Sequence, residues 1–246
     1  MTAVTGDAMP WTIVIMAGES RPDHRLSARN VLAALADLVV PQECGGCGRP
    51  DTPWCETCAT RLIDVPRLLV PRIDPGASAW ALARYGGPVA SAIVNLKEHR
   101  RADLAPILGR ALAGALVSLA SWGDLPAGRT LTLVPAPTRV FAARVRGGDT
   151  VTAVAREAAA ALGPAVHVAP ILSTAAFTRD SAALTAGERN ANLAGAVSVK
   201  GRLPSVDGPV VLFDDVLTTG ATAAHAVAAL AQSGTKVTAV VVLADA

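Results

Sequence analysis

Apolar and polar positions alternate in blocks along this chain, and the blocks change period in a regular order. Ser78–Arg84 reads as a strand, and Val89–Leu96 and Asp103–Leu119 read as helices, the second with an alanine-rich, closely packing face. A buried strand follows at Thr130–Val134, then a helix at Thr150–Leu162 and a short strand near Val166–Ile171. Beyond a polar, poorly periodic stretch over Ser173–Asn192 come a strand at Pro209–Phe213, a helix at Ala221–Gln232 and a strand at Lys236–Leu243. Strands alternating with helices predict an α/β fold, a parallel sheet flanked by helices. Sheets of that kind take their ligands at the carboxyl ends of the strands.

The first part of the chain is organised differently. Ser27 can cap a helix whose apolar face is Val31, Leu32, Leu35, Leu38 and Val39, ended by Pro41. Pro66, Pro71, Pro75 and Gly76 stiffen and interrupt the chain after it, as a linker does. The expected division is a disordered tail over 1–26, a helix plus a small cysteine-bearing subdomain over 27–65, a linker over 66–77 and the α/β domain over 78–246. All three methionines precede residue 17, so the start of translation is open among them.

Composition excludes some classes. With 246 residues, 51% hydrophobic and 17% charged, the chain has too much apolar material and too little charge for a disordered polymer. A net charge of +2 does not require nucleic acid or a membrane surface as partner. The mean hydropathy of +0.40 raises the question of a membrane span. No run of about 18 apolar residues exists, however: Ala111–Gly123 is short and bounded by Arg110 and Asp124, and Val216–Thr235 is interrupted by hydroxyls and Gly220. Trp11–Ala17 follows Asp7 rather than a basic residue, unlike a signal peptide. The expectation is a cytoplasmic protein with no membrane insertion.

The four cysteines stand at Cys44, Cys47, Cys55 and Cys58, a C-x2-C-x7-C-x2-C array. Two such knuckles bring four thiolates to one tetrahedral ion, and Gly45, Gly46 and Gly48 let the first turn tightly. A cytosolic chain would not keep two disulfides, and a redox C-x-x-C would not need a duplicate. What remains is structural Zn2+, or a site that has lost its metal. Four sulfur ligands leave no position for water, so the predicted role is to hold a small subdomain together.

The segment from Val210 to Thr222, VVLFDDVLTTGAT, carries the densest chemistry. Four apolar residues form a buried strand that delivers Asp214 and Asp215 to its carboxyl end. Thr218, Thr219, Gly220, Ala221 and Thr222 follow as a hydroxyl-rich loop opening a helix, where backbone N–H groups and the helix dipole favour a phosphate and Gly220 permits close approach. Two carboxylates beside a phosphate cradle suit a sugar phosphate, whose vicinal hydroxyls donate to acids.

This segment resembles the phosphoribosyl pyrophosphate signature of type I phosphoribosyltransferases. The resemblance extends over roughly Leu32 to Ala244. Asp37–Pro41 leading into the cysteine array, Arg84-Tyr85-Gly86 followed by Asn95-Leu96-Lys97, Val134–Pro137, and Glu188–Leu193 followed by Gly195 stand in the order seen in the competence protein ComF family, which includes GntX-like proteins. It implies a type I phosphoribosyltransferase-like domain behind a small N-terminal zinc-binding subdomain, acting on phosphoribosyl pyrophosphate with Mg2+, in a family named for DNA-uptake and carbon-source phenotypes. Asp214 and Asp215 would bind the ribose hydroxyls and through them orient Mg2+, and Thr218–Thr222 would hold the 5'-phosphate. Val134, Pro135, Ala136, Pro137, Thr138 and Arg139 occupy the place of the pyrophosphate loop, with Arg139 meeting the leaving group. Arg144 and Arg146 are either auxiliary phosphate contacts or a solvated basic stretch. Residues 173–192 occupy the place of a mobile loop.

Departures from the family pattern stand out. Arg146-Gly147-Gly148-Asp149-Thr150 replaces Arg-Gly-Phe-Asn-Gln, removing an aromatic and two amides; Ser181 stands for Gln and Phe177 for Arg, while Thr178 and Arg189 remain. Thr218 stands where purine-salvage relatives carry an Asp, so a purine acceptor is not implied. His24, His99, His167 and His225 are scattered, and Lys97–Arg101 reads as a solvated helix end. Two functions follow: a phosphoribosyltransferase with an unidentified acceptor, or a non-catalytic ligand sensor or scaffold whose cysteine subdomain meets single-stranded DNA or a DNA-uptake partner.

Overall fold

The structure is a computed structural model that describes residues 43–62, 65–137, 149–174, 197–201, 203 and 207–246. The tail over 1–26, the helix expected over 27–41, Thr138, Arg139, Arg144, Arg146 and the loop residues 175–192 lie outside these. Among the described residues the order is α1 (Glu56–Ala59), β1 (Arg67–Leu69), β2 (Ser78–Arg84), α2 (Gly87–Glu98), a 3-10 turn (Ala102–Leu104), α3 (Ala105–Ser121), β3 (Leu131–Pro135), α4 (Thr150–Leu162), β4 (Val166–Val168), β5 (Leu172–Thr174), β6 (Val197–Val199), β7 (Val210–Leu217), α5 (Ala221–Gln232) and β8 (Ala239–Asp245).

A six-stranded sheet runs in the order β1-β2-β8-β7-β3-β4. All its neighbours are parallel except β1 and β2. Its inner strands are apolar on both faces because helices cover both. On one face Val211, Phe213, Val241 and Leu243 meet the leucines of α3 and Val151, Val154 and Ala158 of α4. On the other, Val210, Leu212, Val240 and Val242 meet Ala223, Ala226 and Leu230 of α5. α3 and α4 pack closely at Gly109, where a Cβ would fall 2.4 Å from Cβ of Glu157. With its preceding turn, α3 spans Ala102–Ser121, 20 residues with the length and hydropathy of a membrane span, and 56% of that window is buried in the protein. It is longer than the Ala111–Gly123 run that the sequence suggested, and its buried side is core.

Three features differ from the sequence reading. Residues 66–77, expected as a linker, contain β1, which adds an antiparallel edge to the sheet through Arg67 opposite Ala81 and Leu69 opposite Ala79. Pro66 and Pro71 bracket it at three residues, a length and composition that edges tolerate. The Arg67 guanidinium pairs with the Asp245 carboxylate at the end of β8. Secondly, β7 continues through the acids to Leu217 rather than ending at Phe213. Thirdly, the strand expected over Val166–Ile171 stops at Val168, and Leu172–Thr174 leaves to pair with β6 in a separate antiparallel ribbon.

At the amino edge of the sheet the chain before β3 and the chain before β7 are in backbone contact. The Arg129 and Thr130 N–H groups both donate to the Asp207 carbonyl, at 2.7 and 3.2 Å. A Cβ on Gly208 would lie 1.8 Å from the Thr130 carbonyl oxygen, so only glycine fits there.

Candidate functional site

Chain direction singles out one place on the carboxyl edge. β3 leads through α4 outward to β4, and β7 leads through α5 outward to β8 in the opposite direction. The two helices lie on opposite faces of the sheet. The strand order therefore reverses between β3 and β7, and an open α/β sheet has its crevice at such a switch point. β3 enters it with Pro135 opposite Phe213, and the Ala136 N–H donates to the Phe213 carbonyl at 2.7 Å. Val134 to Ala136 are buried and Pro137 is half-buried, so this segment lies beside Asp214.

β7 brings the acids to the same edge within its hydrogen-bonded register, Asp214 opposite Val242. Adjacent residues of a strand point to opposite faces, so the two carboxylates straddle the strand instead of lying side by side. Asp215 faces α2 and α4 and forms an ion pair through Oδ2 with Nζ of Lys97. Lys97 and Asp215 line a narrow crevice together with Ile93, Val151 and Val154. Asp214 faces the other way, into a small hollow shared with Thr218, Thr219, Gly220, Ala221 and Thr222. Its Oδ1 accepts the Asp215 N–H at 2.8 Å. Burial, then the charge of Asp215, pushes the Asp214 carboxyl up from 3.8 to about 7, against the pull of that N–H and of Lys97.

The loop beyond has Thr218 and Thr219 exposed and Gly220 at φ 90°, from which α5 begins with no side chain capping it. A helix end whose N-cap residue gives no side-chain bond, with its dipole and the nearby hydroxyls, is of a kind that can receive an anion. The Ala221 N–H lies 3.4 Å from Oγ1 of Thr219. Gly220 has a different task from the one its sequence suggested. The Ile73 carbonyl oxygen stands 2.3 Å from where its Cβ would be, and the Ile73 N–H donates to the Thr219 carbonyl at 2.8 Å. The close approach is made by the protein's own strap after β1.

The cysteine array forms a second centre. The four Sγ atoms of Cys44, Cys47, Cys55 and Cys58 lie within 4.8 Å of one another, and Cys47 and Cys55 are 3.6 Å apart. A tetrahedral zinc with four thiolates has an edge of about 3.8 Å, so the set fits such an ion. Against burial, which raises it, the N–H groups of Cys55, Cys47 and Gly46 and the Cys58 thiol draw Cys44 down to about 6. Burial and the other three sulfurs push Cys58 up. The Cys44 thiolate thus forms readily while Cys58 resists ionising beside it, and a divalent ion would relieve that opposition. The element docks on α2 and the turn after it: Nδ2 of Asn95 donates to the Gly45 carbonyl and the Arg101 guanidinium to the Glu43 carbonyl, both at 2.8 Å. A Cβ on Gly45 would lie 2.6 Å from the Leu104 methyls and one on Gly46 2.9 Å from Pro88, so these two glycines serve packing, while Gly48, at φ 76°, serves the turn.

No protein-family model matches this chain, and no curated protein does. The site therefore stands on its own geometry. Sequence reasoning met Lys97 twice, in the Asn95-Leu96-Lys97 motif and among solvated charges, and did not pair it with Asp215, whose cation it is; the motif was the available signal. Asp149 was noted only as a departure. It caps α4 by accepting the Thr152 N–H at 3.3 Å, and its charge is felt at Asp214. His99, His167 and His225 are exposed.

Proposed function

We propose that the chain binds phosphoribosyl pyrophosphate, or a related sugar phosphate, at the β3–β7 switch point and transfers its phosphoribosyl group to an acceptor, as a type I phosphoribosyltransferase-like protein of the ComF kind. The observation that carries this reading is the meeting of three parts at one strand crossing: a carboxylate on the loop side of β7, the uncapped helix end beyond it, and the rigid Val134–Pro137 segment beside it. The helix end suits the 5'-phosphate, and Asp214, with Asp215 behind it, suits the ribose hydroxyls. Val134–Pro137 stands on the flank from which pyrophosphate would leave, and the family resemblance assigns Arg139 to meet it. The bond from the anomeric carbon to the pyrophosphate oxygen breaks and one to the acceptor forms. Mg2+, arriving with the pyrophosphate, would neutralise the departing charge. The cysteine set suits Zn2+ as a structural ion.

The test is pyrophosphate release from phosphoribosyl pyrophosphate and Mg2+ over a panel of acceptors that includes ammonia, nucleobases and single-stranded DNA fragments. Release that Arg139→Ala slows more than it weakens ribose 5-phosphate binding supports transfer. Tight binding with no release for any acceptor selects a non-catalytic sensor or scaffold acting in DNA handling. Absence of binding removes both readings.

A further inference from the structure

We infer that α2 is a strut between the two centres, through which the cysteine element positions Lys97 against Asp215. The inference rests on reading the acid pair as the sugar site, and it adds what holds that pair in place.

Asn95 and Lys97 are two residues apart on α2, about 200° around a helix, so they point to opposite sides of it. Asn95 reaches the Gly45 carbonyl inside the first cysteine knuckle, and Lys97 reaches Oδ2 of Asp215. The knuckle touches the helix at its other end as well, Gly46 against Pro88. The next turn continues the same surface, with Leu104 seated on Gly45 and Arg101 donating to Glu43. Both ends of α2 are thus fixed by a segment whose own conformation depends on four sulfurs meeting at one point. On the far side there is little slack. The Lys97 side chain is 29% exposed and that of Asp215 13%, and the crevice beside them leaves about 10 Å³, at the lower limit for a water. A shift of α2 therefore lengthens the ion pair, with room for one water at most on the crevice side. Lys97 is a positioning residue in this scheme: it fixes the orientation of Asp215 and offsets one of the two charges that the hydroxyls of a sugar must meet.

The test uses the full chain with its metal content measured. The Asp214 carboxyl is followed by 13C NMR over pH, assigned with Asp214→Asn, and ribose 5-phosphate binding is measured by calorimetry. The charges felt at Asp214 come from across the strand, from Asp215 on β7, Lys97 on α2 and Asp149 at the head of α4. Lys97→Met should move the Asp214 titration to higher pH and weaken ribose 5-phosphate binding about tenfold, and Lys97→Arg should restore both. Asn95→Ala, with metal content unchanged, should move both in the same direction, binding by about threefold. Arg101→Ala loosens the other contact and should do the same, which keeps the test open if Asn95→Ala sheds its metal. Wild-type titration and affinity in both Asn95→Ala and Arg101→Ala would overturn the strut. If the wild-type chain ignores ribose 5-phosphate, the sugar-site reading falls, and the Asp214 titration still decides whether α2 couples the centres.

Discussion

Asp214→Asn isolates the electrostatic strain in the proposed site. In the folded chain burial and Asp215 hold this carboxyl at about 7, against 3.8 without them. The folded state therefore binds the proton more tightly than the unfolded one. Stability is full below pH 3.8, falls as pH rises through the interval, and is level again above about 7. Each pH unit across that interval is worth about 1.36 kcal/mol, so ionised Asp214 costs the fold up to about 4 kcal/mol above neutrality. The amide keeps the shape and can still accept the Asp215 N–H. Its own desolvation and the lost attraction to Lys97 offset part of the gain, leaving about 2 kcal/mol. For a chain of this size that is roughly 4–8 °C in melting temperature. Thermal unfolding followed by calorimetry at several pH values reads it directly. The variant should melt above the wild type at pH 8, and the gap should close as pH falls toward 4. A gap independent of pH, or a variant less stable at pH 8, would refute the assignment of the strain to a charged Asp214.

The remaining predictions concern the metal, the ligand and the strap. Cys55→Ser should lower bound zinc below one per chain and lower the melting temperature; elemental analysis and a melt check both, and unchanged values would remove the structural-zinc reading. Asp214→Asn combined with Asp215→Asn should reduce ribose 5-phosphate affinity at least tenfold, since each charged hydrogen bond contributes about 1.5–3 kcal/mol, while circular dichroism stays native. Gly220→Ala places a Cβ 2.3 Å from the Ile73 carbonyl at a positive φ, so it should destabilise the fold by about 1–3 kcal/mol and loosen the strap. Its urea midpoint and proteolysis after Arg72 measure the two effects.

Much of the α/β order was legible because the strands of this sheet are buried on both faces and stand out as continuous apolar runs such as Val210–Phe213 and Val240–Leu243. The cysteine spacing was equally plain, since two short knuckles bring four sulfurs together with little help from the rest of the chain. What escaped was set by pairing at a distance. β1 is three residues between prolines, too short to show a period, and exists because β2 offers it an edge. Twenty-two residues lie between Thr174 of β5 and Val197 of β6, and neither strand is apolar enough to announce itself. The acids read as a strand end because polarity marks a loop in a profile, whereas the backbone of β7 pairs through them regardless of side chain. Lys97 and Ile73 became site residues only through packing, one by reaching across from α2 and the other by running beneath Gly220.

The joint between the segments before β3 and β7 binds the floor of the crevice from its far end. With the Asp207 carbonyl gripping two successive N–H groups and Gly208 pressed on the Thr130 carbonyl, the rear of the cleft behaves as a bookbinding. The two segments cannot part there without breaking both bonds, and the ladder from Thr132 opposite Val210 to Pro135 opposite Phe213 carries the same spacing on to the carboxyl edge. The crevice therefore rests on a floor of fixed width, bound by a seam at the opposite end of the strands from the acids.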